Sequence, residues 1–214
     1  MANIADDITE LVGNTPLLRL HKFEKEAGFE GKILAKLEVF NPTGSVKDRI
    51  AKNMIEQAER DGRLKPGGTI IEATSGNTGI GLAAIAAAKG YQAVIVMPDS
   101  MSKERIRILE AYGAKVVLTS GEKNMGGANE KAAEILEQTE NAIITGQGGN
   151  PSNPEAHYQT TGPEIWKDTG ENVDIFVATV GTGGTISGTG KFLKEKNSDI
   201  QIIGVEPAGC PVLS

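Results

Sequence analysis

From residue 69 onward, short apolar runs alternate with longer helix-patterned runs, and glycine-rich turns join them. Thr69 to Ala73, Ala93 to Met97, Val116 to Thr119, Ala142 to Thr145, Val173 to Val180 and Gln201 to Val205 read as strands. Between them Ile80 to Lys89, Ser102 to Tyr112, Ala128 to Thr139 and Ile186 to Lys196 read as helices. A further helix carries Glu164, Ile165 and Trp166 and takes Thr161 as its cap. Strand and helix repeated in this rhythm predict an α/β fold: a mostly parallel sheet with helices on both faces. Ile80 to Lys89 is apolar nearly all round and should be buried.

The first 68 residues are less regular. Ile8 to Val12 leads into a turn at Gly13 to Pro16, Leu17 to Leu20 reads as a strand, Lys22 to Ala27 as a helical turn, and Ile33 to Val39 as a strand. A helix follows from Ser45 to Arg60, with Val46, Ile50, Met54, Ile55 and Ala58 on one face. Much later, Gly146 to Pro154 (GQGGNPSNP) is too rich in Gly, Asn and Pro for regular structure, which makes it the best candidate for a crossing between domains.

The 214 residues suffice for one large domain or two small ones, and the 27 glycines, free of low-complexity repeats, suit frequent tight turns. With 22 basic and 28 acidic residues the net charge is −6, which argues against a nucleic-acid partner. Cys210 is the only cysteine. It excludes an intrachain disulfide, points to a reducing compartment, and is read as an inert thiol. The opening MANIADDITE is not a secretory signal, and no apolar run reaches membrane-spanning length. The expectation is a soluble, cytoplasmic protein. His21 and His157 are far apart and no Cys/His cluster exists, so no metal site is expected. There is no G-x-S-x-G elbow. His157, beside Tyr158, Thr160 and Thr161, reads as a structural hydrogen-bonding residue.

Three stretches carry chemistry. In Phe40 to Asp48 (FNPTGSVKD), Asn41, Pro42 and Gly44 break the preceding strand and Ser45 is placed as a helix cap. Lys47 then falls in the first helical turn, where the positive end of the backbone dipole disfavours a cation. Its amine is thereby more readily neutral and nucleophilic, as Schiff-base chemistry requires. Thr74 to Gly81 (TSGNTGIG) joins a strand to a helix, offering free N–H groups and the side chains of Thr74, Ser75, Asn77 and Thr78 to a carboxylate. The same stretch admits a dinucleotide reading, through Gly79-x-Gly81-x-x-Ala84 with Asp99 beyond it. Gly181 to Thr185 (GTGGT) joins another strand to a helix and suits a phosphate.

An activated lysine, a carboxylate turn and a phosphate turn are the parts of a pyridoxal phosphate enzyme acting on an amino acid. The sequence NPTGSVKDR at Asn41 to Arg49, TSGNTG at Thr74 to Gly79 and GTGGT at Gly181 to Thr185, in this order, resembles the O-acetylserine sulfhydrylase (cysteine synthase) family. NTPLLRL near the start and TTGPEIW at Thr160 to Trp166 extend the likeness over essentially the whole chain. The resemblance implies a fold type II pyridoxal phosphate enzyme, similar to the tryptophan synthase β subunit, with two three-layer α/β/α domains. Residues 1–35 would begin the large domain, 36–145 would form the small substrate-binding domain, and 146–214 would form a truncated large cofactor-binding domain.

By the same resemblance Lys47 would hold pyridoxal 5′-phosphate as a Schiff base and then move the α-proton. Asn77 would bond the cofactor's 3′ oxygen, and Gly181, Thr182, Gly183, Gly184 and Thr185 would hold its phosphate. Thr74, Ser75, Gly76, Asn77, Thr78 and Gln147 would bind the substrate. O-acetylserine would lose acetate to give an α-aminoacrylate, and sulfide would add to form L-cysteine. The family also implies a homodimer and, as a docking partner, the C-terminal tail of a serine acetyltransferase. Two departures are visible. Family members run on beyond residue 214 and supply there a Ser or Thr facing the pyridine nitrogen. Gly148 and Gly149 stand where the family has an aromatic after Gln147. They motivate two alternatives: β-replacement on serine or another activated serine, as in cystathionine β-synthase, and an inactive fragment.

Overall fold

A computed structural model describes residues 4–209 and residue 211; Cys210 lies outside the described residues. In chain order the elements are β1 (Leu17–Arg19), α1 (His21–Glu26), β2 (Leu34–Lys36), α2 (Lys47–Arg60), β3 (Thr69–Ala73), α3 (Asn77–Lys89), β4 (Gln92–Pro98) and α4 (Lys103–Ala111). There follow β5 (Lys115–Thr119), α5 (Asn124–Glu137), β6 (Ala142–Ile144), α6 (Ser152–Ala156), α7 (Gly162–Asp168), β7 (Ile175–Thr179), α8 (Gly184–Lys196) and β8 (Gln201–Val205). A π turn, His157–Thr161, joins α6 to α7. Two compact units result, one containing residues up to Val12 with Lys47–Asn153, the other Gly13–Val46 with the chain from Pro154 onward.

The first unit is built on a four-stranded sheet in the order β5-β4-β3-β6, parallel throughout. Alternation along the strands turns Ile71, Val94 and Val96 to the face that packs on Ala128 and Ala132 of α5. Ile70, Ile95 and Met97 take the other face and are equally buried. There α3 comes so close that a Cβ on Gly79 would lie 3.2 Å from Ile95 and 3.7 Å from Leu109 of α4. Burial on both faces explains why these strands read as unbroken apolar runs. The chain winds from β3 out to β4 and β5, then places β6 on the far side of β3. Open α/β sheets bind ligands beyond the carboxyl ends of their strands at such a reversal. The turns that follow β3 and β6 leave the sheet there.

In the second unit β1 pairs antiparallel with β2, and β7 pairs parallel with β8. α7 and α8 cover one face of β7 and β8 through Ile165, Leu193, Phe176 and Ile202. The opposite face carries Ile175, Val177, Ile203 and Val205, each 41–57 % exposed. The three-layer arrangement is thus complete in the first unit alone among the described residues. β2 is tied to α7 by Lys36, whose ammonium lies 2.8 Å from the Glu164 carboxylate.

Several element ends differ from the sequence pattern. α2 starts at Lys47, two residues after the expected cap at Ser45. The strand expected over Ile33 to Val39 stops at Lys36, and Glu38–Phe40 coil into a 3-10 turn. The Glu38 carboxylate explains this, accepting from the Thr15 hydroxyl at 2.6 Å and the Asn41 amide at 2.8 Å. α3 begins at Asn77, three residues ahead of Ile80, because Gly76 in extended conformation serves as its cap. Helix also starts at Ser152, within the stretch expected to be irregular; Pro154 sits in the first turn, where a missing N–H costs nothing. Thr161 does not cap α7, since its backbone already has helical angles, φ −62° and ψ −44°.

Candidate active site

Lys47 is the first residue of α2. Burial pushes its ammonium below the usual lysine range. The helix dipole at this position acts in the same sense. Its backbone lies beside α3, where a Cβ on Gly81 would stand 3.3 Å from the Lys47 carbonyl oxygen and 3.2 Å from Ala51. Only a glycine at 81 lets the first turn of α2 approach α3 so closely.

The turn after β3 holds the other residues of this unit. Thr74 extends the sheet by donating its N–H to the Val96 carbonyl at 3.0 Å, and its hydroxyl receives the Gly76 N–H at 3.3 Å. Gly79 donates to the Gly76 carbonyl at 3.1 Å, so the N–H groups of Asn77 and Thr78 precede the first intrahelical bond. They point out of a helix N-terminus, a favourable place for an anion. Arg105 of α4 donates to the Ser75 carbonyl and holds the turn from outside. Gln147, from the turn after β6, accepts the Thr78 hydroxyl at 2.6 Å. The structure therefore brings Thr74, Ser75, Gly76, Asn77, Thr78 and Gln147 to one place, at the reversal between β3 and β6.

Gly181, Thr182, Gly183, Gly184 and Thr185 belong to the second unit. Gly183 caps α8 with φ +79°, a left-handed conformation that glycine adopts without strain. The first intrahelical bond runs from Ser187 N–H to the Gly183 carbonyl at 2.9 Å, leaving the N–H groups of Gly184, Thr185 and Ile186 at the helix start. Buried His157 lies beneath this turn. Its ring nitrogens stand 2.8 Å from the Thr161 hydroxyl and 3.2 Å from the Thr185 hydroxyl. The π turn at His157–Thr161 is what sets the imidazole between them.

Residues 8–214 match the family of pyridoxal-phosphate dependent enzymes. The chain belongs to that family. It is 54% identical over its full length to a probable cysteine synthase of Bacillus subtilis, covering 69% of that protein. Among solved structures, a cysteine synthase of Entamoeba histolytica is 48% identical with a TM-score of 0.92, over 96% of this chain and 61% of the other. A hydrogen sulfide-producing enzyme of Fusobacterium nucleatum is 47% identical with a TM-score of 0.94, over 100% of this chain and 69% of the other. The chain thus spans about two thirds of the length of these relatives. Membership fits the residues present. Lys47 offers a desolvated amine for the aldehyde of pyridoxal phosphate, and the Gly181–Thr185 turn offers N–H and hydroxyl donors for its phosphate.

Sequence reasoning overlooked two residues that hold these turns. Glu72 is buried in β3 and binds the Thr145–Gln147 segment. Its signal was available, as the one charged residue in the apolar run TIIEA. Arg105, one of several exposed charged residues of α4, carried no such signal.

Proposed function

We propose that this chain serves the formation of L-cysteine from O-acetyl-L-serine and sulfide, by pyridoxal phosphate-dependent β-replacement. The observation that carries the reading is Lys47, an amine whose charged form is disfavoured by burial at the start of a helix. The cysteine synthases at 54% and 48% identity support the choice of substrates. The bound cofactor supplies the electron sink that lets acetate leave the β-carbon and sulfide take its place. Lys47 anchors it and afterwards, as a free amine, moves the α-proton. Asn77 bonds its 3′ oxygen, and Gly181 to Thr185 hold its phosphate. Thr74, Ser75, Gly76, Asn77, Thr78 and Gln147 receive the substrate, orienting the β-carbon for replacement.

The test is to load the chain with pyridoxal phosphate and supply O-acetylserine and sulfide. Wild type should give cysteine and show a visible absorbance that borohydride abolishes, and Lys47→Ala should lose both. Full activity in Lys47→Ala would overturn the assignment. A second reading, β-replacement on serine or another activated serine, is favoured by Gly148-Gly149 after Gln147. Ratios of kcat/KM for O-acetylserine and serine separate the two. On the family resemblance alone, the reading also places the chain in the cytoplasm as a homodimer that docks a serine acetyltransferase tail. Sedimentation and a tail-peptide titration test the last two.

A further inference from the structure

Glu72 occupies the fourth position of β3 and is 3 % exposed, in a strand whose other residues are Thr69, Ile70, Ile71 and Ala73. A carboxylate does not enter such a strand for stability, because taking its charge from water is costly unless donors replace the water. Here three donors do so, and all come from one tripeptide. The Thr145 hydroxyl reaches Oε2 at 2.6 Å, the Gly146 N–H reaches Oε2 at 2.7 Å, and the Gln147 N–H reaches Oε1 at 3.2 Å. The three points fix the direction in which the chain leaves β6. Gln147 is then fixed further through its carbonyl, which accepts the Asn153 amide at 2.9 Å. Its side-chain oxygen accepts from Thr78, so its two amide N–H donors face away from that bond.

We propose that Glu72 is a positioning residue: its carboxylate holds Gln147 against Thr78 and so presets the turn that receives the substrate carboxylate. Resting on the function proposed above, this assigns the arrangement of the subsite to a buried acid that touches no ligand. In Glu72→Gln an amide N–H faces one of the three donors, so at least one anchor becomes a repulsion while size is kept.

In the full-length chain loaded with pyridoxal phosphate, amide exchange at Gly146 and Gln147 should quicken at least about tenfold in Glu72→Gln, as for loss of a bond to a charged acceptor. The KM for O-acetylserine should rise about tenfold while kcat and cofactor affinity stay within about threefold. The double variant with Gln147→Ala should be no worse than the poorer single variant, because both act on one contact. Additive losses, or wild-type exchange and KM in Glu72→Gln, would refute the proposal. If Gln147→Ala and Thr78→Ala also left KM unchanged, the subsite reading itself would fall. Should Glu72→Gln not fold, Thr145→Val removes one anchor alone, and the same two readouts should move about threefold; wild-type values there would refute the proposal equally.

Discussion

Replacing Gly188 with alanine puts a methyl group where the second unit has no room. A Cβ at this position of α8 would stand 1.9 Å from the Pro154 carbonyl oxygen and 2.9 Å from the His157 Cβ. Real Cβ contacts stay above about 3.0 Å, so α8 and the α6–π turn segment must part by at least about 1 Å. The obstacle is backbone, and no rotamer change relieves it. Overpacking of this kind costs about 1–3 kcal/mol, more when backbone must move. The displaced segment also carries His157, whose contact with the Thr185 hydroxyl of α8 contributes about 1 kcal/mol. A loss of about 2–4 kcal/mol follows, equivalent to a fall of about 10 °C in melting temperature for a chain of this size. Differential scanning calorimetry measures it. Gly126→Ala is the control: this glycine of α5 is exposed with open space around its missing Cβ, and the change should stabilise by about 0.5–1 kcal/mol. Because Thr185 lies in the proposed phosphate turn, Gly188→Ala should also weaken pyridoxal phosphate binding, which Gly126→Ala should leave alone. A Gly188→Ala protein that melts within about 2 °C of wild type would refute the close-packing argument.

Lys47 sets a pH dependence in the cofactor-free protein. Burial lowers its folded-state pKa below the unfolded value near 10.5, so the folded state binds fewer protons in that interval and stability rises as pH climbs through it. Lys47→Met should flatten that rise in a series of melting curves from neutral to alkaline pH. Thr189 is fully buried in α8 with no partner for its hydroxyl among the described residues, and Thr189→Val should stabilise by about 1 kcal/mol in urea titration. Burial, together with the hydrogen bond to Glu59, pushes the Tyr91 phenol up to about 12, and alkaline ultraviolet titration should show this tyrosine ionising last; Tyr91→Phe removes that phase.

Apolar period and turn chemistry carried most of the first unit's fold. The runs that became β3, β4 and β6 are buried on both faces, and such strands announce themselves as unbroken apolar segments. The turns TSGNTG and GTGGT were legible as strand-to-helix junctions for the same local reason: glycine and hydroxyl residues there let a helix begin with its first backbone donors outside the ladder. Helix starts were less legible. α3 and α8 both begin with a glycine cap instead of a side-chain cap, so the pattern of capping residues pointed two or three residues too late. The stretch before Pro154 misled in the opposite way. Asn150 caps its own turn, with its carboxamide oxygen taking the Ser152 N–H at 2.9 Å, and helix follows at once.

What no periodicity reveals is the buried polar set. Glu72 sits in an apolar strand, Asn53 lies on the inner face of α2 and donates to the Ser152 carbonyl at 2.7 Å, and His157 lies under the Gly181–Thr185 turn. Each breaks the hydrophobic pattern of its own element and finds its partners in a loop distant in sequence. A buried polar group without partners costs about 1–3 kcal/mol, so such a residue persists only where the loop arrives to satisfy it. The donor-rich turns leave the first N–H groups of α3 and α8 outside the helix ladder, and those groups cannot fix the turns' own shape. Their rigidity has to come from acceptors behind them, which is the place Glu72 takes beneath Gln147 and His157 beneath Thr185.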